Sequence, residues 1–537
     1  MRAQRSSASS LALALALLAS PLAAADPPLE IETLQQPAEQ KGAPPAEKDE
    51  VAPVGNPPAS ATGGIEVVTL QTPASPIVAI RAFFTTGSID DPAGKEGLAD
   101  LTASVVGAGA TKRRSYKDLV AALYPLAASI DSRVDREATV FTVVVHKETL
   151  DEATAILAEV LTQPAFDPRD LDRHRKDSLS YLTTTLRAAN DELLGLEELQ
   201  QKIFAGHPYG HAAAGTVQGL GAITAADVEG FYRAHYTTGN LVLGVAGGYP
   251  DGYPERLARA LASLPPVRPA GVPPLPPPPA PTGREITIVA KDTASTGIHF
   301  GFPLPITRAN PDYYPLMVAN SYLGEHRTFN GRLQQELRGK RGLNYGNYSY
   351  IEHYATPPFT TNPTPNVPRH QQYFSVWVRP VQPENAQFAL RAALYQVQQL
   401  AEKGMSQRDF ELTRDYLMGY SKLWAQTLSR RLGFLLDSKF YGTPYYIDEI
   451  GRRLATMTVE DVNRAAKQYL GTEHWTAVLV AGDAAALEAK LEADGPSPIA
   501  YKNAVPADVT ATDPAIAKLP VRPTKVDVVP VATLFEK

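Results

Sequence analysis

The chain has 537 residues, a formal net charge of -6 and no cysteine. That length supports more than one ordinary domain with its own core. The near-neutral balance, without a long basic stripe or a glycine-rich phosphate loop, speaks against a nucleic-acid or nucleotide binder, and the missing thiols exclude disulfides, thiolate ligands and a cysteine nucleophile.

Arg2 and Arg5 precede an Ala/Leu run over residues 11–18, and Ala23-Ala24-Ala25 forms a small-x-small pattern before Asp26. Residues 1–25 therefore read as a cleaved export signal, the apolar run being shorter than the roughly 20 residues that span a bilayer. No cysteine near the cleavage site could carry a lipid, and no other apolar run is long enough to cross. The mature chain is expected to be exported, periplasmic or secreted. Residues 26–64 are rich in Pro and Ala, aperiodic, and read as a disordered spacer.

Residues 65–70 and 77–86 have the apolar, β-branched character of strands, and 98–106 that of a buried helix. Residues 137–145 read as a strand and 148–161 as an amphipathic helix. Arg169-Asp170-Leu171 opens a long helix, and Thr224 with Asp227 forms an N-cap signature. A polyproline linker over 264–283 separates a first unit, 65–263, from a second, 284–500, and a Pro- and Val-rich tail, 501–537, is expected to wrap the surface.

The two units repeat each other. Arg169-Asp170-Leu171 corresponds to Arg408-Asp409-Phe410, His207-Pro208-Tyr209 to Thr443-Pro444-Tyr445, Thr224 and Asp227 to Thr458 and Asp461, and Val245-Ala246-Gly247 to Val480-Ala481-Gly482. The offset is roughly 235 residues each time and the order is kept, the mark of a duplicated unit. Strands with hairpin partners and paired helices make each unit α+β.

Two stretches carry candidate chemistry. From Arg332 to Tyr348 the chain reads Arg-Leu-Gln-Gln-Glu-Leu-Arg-Gly-Lys-Arg-Gly-Leu-Asn-Tyr-Gly-Asn-Tyr. An amphipathic helix is expected to end at Gly342 and a strand to begin near Tyr345, which brings Arg338 in the last helical turn close to Tyr345. By themselves, an Arg at a helix C-terminus complements the dipole and a Tyr in a strand packs; Lys340 and Arg341 read as solvated dipole partners. In the first unit, Gly87-Ser88 is followed by Gly97-Leu98-Ala99-Asp100-Leu101-Thr102-Ala103-Ser104.

Both stretches resemble motifs of the pitrilysin/insulinase family of zinc metallopeptidases, the inverzincins. In that family a Gly-Ser…Gly-Leu-Ala frame leads into His-x-x-Glu-His on a helix, whose histidines bind zinc and whose Glu is the general base. Here the frame is kept, but Asp100 stands for the first His, Ala103 for the Glu and Ser104 for the second His. The distant third ligand, a Glu, would fall near Tyr181, and no Glu lies between 170 and 187. The family's Leu-Arg…Gly-Leu-x-Tyr stretch is matched by Arg338 and Tyr345.

The resemblance implies two homologous insulinase-like domains in tandem, facing each other across a chamber, over residues 65–485. It implies no zinc bound by this chain. Arg338 and Tyr345 are expected to contact the scissile carbonyl or its tetrahedral intermediate in a partner's site. The chain is then the non-zinc subunit of a heterodimeric metallopeptidase acting on peptides or unfolded segments, with zinc and base in the partner. The alternative is an inert peptide-binding or scaffold protein of the same fold. His207 and His211 are four apart, but Pro208 and Gly210 argue for a surface loop instead of a ligand pair. The Pro/Thr/Asn-rich insertion 355–369 reads equally as a lid or docking element and as a mobile surface loop.

Overall fold

The computed structural model describes residues 60–62, 64–266, 275–355, 361–501 and 504–537. The stretch expected to be an export signal, nearly all of the expected spacer and the middle of the polyproline linker lie outside them. The first half supplies strands β1 (Ser60–Thr62), β2 (Ile65–Gln71), β3 (Ile77–Phe84), β4 (Asp131–Val134), β5 (Thr139–His146) and β6 (Leu241–Gly247). They form one sheet in the order β1-β2-β6-β3-β5-β4. The second half supplies β7 (Arg284–Ala290), β8 (Thr296–Leu304), β9 (Asn347–Tyr350), β10 (Gln372–Val381), β11 (Trp475–Ala481) and β12 (Lys525–Pro530), in the order β12-β7-β11-β8-β10-β9.

The repeat is thus one of topology. In each half the late strand, β6 or β11, inserts between the two early ones, parallel to β2 or β7 and antiparallel to β3 or β8. Thr224 and Thr458 each close a capping box with the Asp three residues on. All residues of β3 except Ile77 are buried, because helices cover the sheet and the Ile/Val/Phe-rich run tolerates burial on both faces.

The halves are interlocked through two exchanged helices. Helix Asp191–Ile203 of the first half lies on β8 and β11, and helix Leu428–Tyr441 of the second lies on β3 and β6. Val289, Tyr373, Val478 and Val480 accordingly belong to the first hydrophobic core, and Val68, Ala79, Phe83 and Ala246 to the second. Leu194, Leu199 and Ile203 of the first crossing helix are fully buried, each contributing about 1.5–3 kcal/mol. Each crossing helix has a glycine at its closest approach. A Cβ on Gly195 would lie 2.5 Å from the His299 ring, and one on Gly433 2.7 Å from Pro365 and 2.8 Å from the Arg81 guanidinium.

Two further elements differ from the sequence expectation. The described arm of the insertion, 361–369, is a clamp at the seam between the halves. Buried Arg369 reaches across to Asp135 at 2.7 and 2.6 Å and to Gln200 at 2.9 Å, while Asn366 bonds Asp437 and the Gly433 carbonyl. A buried guanidinium needs such partners, and these fix the arm. The tail, for its part, forms helix Ala507–Ala517, adds β12 beside β7, and buries Leu534 and Phe535 in the first core. Among the described residues no helix is long and apolar enough to cross a membrane.

Candidate functional site

In the first half, helix Leu98–Ala108 begins at Gly97, whose φ of +102° and crowding by Leu220 at 2.9 Å favour glycine. Buried Asp91 caps the helix by accepting from the N–H groups of Gly97 (2.8 Å) and Ala99 (2.7 Å), and His211 Nε2 lies 3.1 Å from the same carboxylate. His211 therefore supports a cap. His207 is buried, its Nε2 2.9 Å from the Pro276 carbonyl, so the expected surface loop is a packed one that the end of the proline linker covers.

Asp100 is half-buried on this helix, Ala103 is buried and Ser104 half-buried. Burial, with Asp91 nearby, pushes the Asp100 carboxyl up to about 7. Tyr181 opens a π-helical stretch, Tyr181–Ala189, at the position of the absent third ligand. Burial, together with the charges of Glu197 and Asp100, pushes its phenol up to about 12, so it stays protonated. Glu197 comes from the crossing helix and pairs at 2.9 Å with buried Arg136. Neither Glu197 nor Arg136 was foreseen, because they lie 61 residues apart and no local spacing marks their pairing.

This donor set does not fit the family's zinc. Zinc sites use three or more His, Cys or carboxylate ligands. Here Asp100 is a single acid, Ala103 has no functional group, Ser104 and Tyr181 offer neutral hydroxyls, and Glu197 is committed to Arg136. Among the described residues no group of three or more His, Cys, Asp or Glu could hold a metal ion.

In the second half, Arg338 lies in a π-helical turn, Gln334–Gly339. The turn closes through Gly342 at φ +62°, with Gly342 N–H donating to Arg338 O (2.8 Å) and Leu343 N–H to Leu337 O (3.0 Å). β9 starts only at Asn347, so Tyr345 sits in the connecting turn instead of the strand. That turn is held by side-chain amides: Asn344 Nδ2 donates to Arg379 O (2.7 Å) and Asn347 Oδ1 (2.8 Å), and Gln334 Oε1 accepts from Asn347 N–H (3.0 Å).

Arg338 and Tyr345 meet as the sequence predicts. The Arg338 Cζ is 4.5 Å from the Tyr345 ring centroid, and Arg379, held by Glu192 of the crossing helix at 2.7 Å, is 5.4 Å from it. Tyr345 is 66% exposed, and neither the Arg338 nor the Tyr345 side chain has a hydrogen bond or ion pair with any described residue. Both therefore present free donors from a rigid support. Arg341 behaves differently from the expectation of a solvated dipole partner. It is buried and pairs with Glu336 and Asp513, each at 2.9 Å, because the tail helix docks here; Lys340 reaches Asp508 at 2.9 Å.

The fold and these two stretches define a class: a duplicated α+β chain built like a zinc peptidase, with the metal helix stripped of its donors and the Arg/Tyr motif intact. Residues 66–217 match the insulinase (peptidase family M16) model, and 222–417 match the peptidase M16 inactive domain. The chain belongs to the insulinase family, M16. It is 24% identical over 432 residues to an "uncharacterized zinc protease" of Mycobacterium bovis, covering 78% of this chain and 91% of that one. It is 25% identical over 406 residues to the non-peptidase homolog YmxG of Helicobacter pylori, covering 74% and 87%. Among solved structures it is similar to a peptidase M16 inactive domain from Pseudomonas fluorescens, with TM-score 0.69 and 23% identity over 79% of this chain and 97% of that one.

Proposed function

We propose that this chain is the non-zinc subunit of a two-chain insulinase-type peptidase. Arg338 and Tyr345 act as preorganised donors to the carbonyl oxygen of a peptide bound in the zinc site of a homologous partner. One observation carries this reading: a rigidly mounted, solvent-facing Arg/Tyr pair with free donors, on a chain whose own metal helix has no ligand set. The substrates are peptides or unfolded segments. We place the mature chain outside the cytoplasm on the charge, apolar-run and small-residue pattern of residues 1–25. Loss of export on deleting them, read by cell fractionation, tests that placement.

The functional test mixes the purified chain with a His-x-x-Glu-His homologue from the same genome and follows cleavage of an unfolded peptide. Cleavage is expected in the mixture and in neither chain alone. Arg338→Ala and Tyr345→Phe should each slow it by about 10²–10³-fold, the usual loss for one oxyanion donor. A mixture no faster than the zinc chain alone would sink the proposal.

A scaffold reading has one observation in its favour. The buried Arg341–Asp513 pair gives the Arg-Gly-Leu frame a structural reason to persist without chemistry. Tight association with the homologue, indifferent to Arg338 and Tyr345, would favour it.

A further inference from the structure

The duplication gives the stripped metal helix a counterpart. Helix Tyr313–Gly324 packs on β9 and on helix Gln407–Trp424, as Leu98–Ala108 packs on β4 and on helix Pro168–Ser180. Among the counterpart elements lies a cavity of about 60 Å³ whose lining includes Asn320, Glu325, Tyr350, Tyr354, Tyr420 and Trp424. That is room for on the order of four waters, or for one ammonium or guanidinium head.

The walls are aromatic faces. Tyr350 and Tyr354 pack at 5.1 Å between centroids, and Tyr420 meets Trp424 edge-on at 5.7 Å. The hydroxyls of Tyr354 and Tyr420 both donate to the Thr361 carbonyl, at 2.8 and 3.2 Å. Their polar ends are occupied, so what they offer a guest is π surface.

The acceptors are unmatched. Glu325 has no Lys or Arg partner within ion-pair distance among the described residues, and Ser321 is its one hydrogen-bond donor. Burial pushes its carboxyl up to about 7, and its charge reaches Tyr354, Tyr416 and Tyr420. The buried amide oxygen of Asn320 has no hydrogen-bond partner among the described residues. The cation that lines the cavity, Arg308, is committed to Glu352 at 2.9 Å and lies 3.6 Å from Asp437. Unmatched acceptors in an aromatic enclosure are complementary to an organic cation, whose N–H groups bond the oxygens while its charge faces the rings.

We propose that this cavity binds the basic side chain, lysine or arginine, of a peptide lying on this face, with Glu325 and Asn320 as acceptors and Tyr354, Tyr420 and Trp424 as walls. Leu412, Tyr416 and Leu423 are exposed on the same helix that carries Tyr420 and Trp424. Four residues after Glu325, Phe329 lies with its ring 5.6 Å from the Arg338 guanidinium, so one loop joins the cavity to the Arg/Tyr pair. Use of the cavity to place a substrate rests on the function proposed above; its occupancy by a cation does not.

The test uses the full chain without any partner, so it reports on the cavity even if the two-chain peptidase reading fails. n-Butylguanidinium, n-butylammonium and, as neutral control, n-butanol are titrated at constant ionic strength by calorimetry. An unfolded peptide with one arginine and its citrulline counterpart are titrated likewise. The two cations should saturate and butanol should not, and the arginine peptide should bind about tenfold tighter than the citrulline one. Glu325→Gln should abolish the cation response and level the two peptides at an unchanged thermal midpoint, and Tyr420→Leu should weaken both. Equal responses to cations and butanol, or cation binding retained in Glu325→Gln, overturn the proposal. Saturation by the free cations with no preference between the peptides assigns the cavity to free amines and overturns the peptide assignment.

Discussion

Asp100, Tyr181 and Glu197 in the first half and Arg338 and Tyr345 in the second occupy the two stretches that the family devotes to catalysis. In the first, the groups differ: Tyr181 stays 40% exposed and Asp100 is half-buried. Glu197 is paired with Arg136, and burial with Asp91 nearby pushes Asp100 up to about 7. In the second, side-chain amides brace the turn, Tyr345 stays 66% exposed and Arg338 half-buried, and neither side chain has a hydrogen bond or ion pair among the described residues. Among the described residues, Glu197 alone of the three first-half groups has an ion-pair partner. Under the proposed function, the Arg338/Tyr345 pair, left without hydrogen-bond partners on an amide-braced turn, serves a substrate outside the chain.

The largest expected effect breaks this contrast directly. In the two-chain assay, Asp100→Ala and Ser104→Ala should leave the rate within about twofold, while Arg338→Ala lowers it by about 10²–10³-fold at unchanged stability. The urea midpoint distinguishes the two kinds of loss. If Asp100→Ala proves as damaging as Arg338→Ala, the first-half site takes part in the chemistry and the contrast fails.

Next is Arg341, three residues from Arg338 and opposite to it in character. Arg341→Ala removes a buried guanidinium and leaves Asp513 without an ion-pair partner among the described residues, while Glu336 keeps Arg332 and Lys340. The expected cost is about 3 kcal/mol of stability, measured by urea unfolding. Arg338→Ala, which breaks no ion pair among the described residues, should cost less than about 0.5 kcal/mol. Comparable losses would show that the motif is structural throughout.

What the sequence made legible is governed by locality. The duplication, the capping boxes at Thr224 and Thr458, the frame around Asp100 and the meeting of Arg338 with Tyr345 all arise from neighbours along the chain, and each is found in the structure. Features set by distant contacts were not legible. The exchanged helices bring Glu197 beside Tyr181 and Glu192 beside Arg379, and the tail buries Arg341; nothing near those residues in sequence announces it. The insertion behaves likewise, since the burial of Arg369 depends on Asp135, 234 residues away.

The exchange itself can be tested at Gly195. Gly195→Val would drive side-chain atoms into the His299 ring, already 2.5 Å from an ideal Cβ. Overpacking of this kind costs about 1–3 kcal/mol. Because helix Asp191–Ile203 packs the first core onto β8 and β11 of the second half, unfolding of both halves should remain one transition with a lowered midpoint. Two separate transitions in the wild-type chain would mean that the halves are independent domains after all.

Asp100 gives the smallest and most diagnostic effect. Its folded pKa, about 7, lies above the unfolded value near 3.8. A raised carboxyl binds its proton more tightly in the folded state. Its favourable contribution is therefore fully present below about pH 3.8 and is lost as pH rises through about 7. At pH 8 the group is charged in both states and its partial burial is a net penalty. Asp100→Asn should accordingly be near neutral at pH 4 and stabilising by on the order of 1–2 kcal/mol at pH 8. A metal ligand would behave in the reverse way: the same substitution would lower stability in the presence of zinc, and a chelator would reproduce the loss in the wild-type chain. The sign of a single pH 8 measurement, repeated with and without EDTA, thus separates a carboxylate stranded in a former metal site from one still at work there.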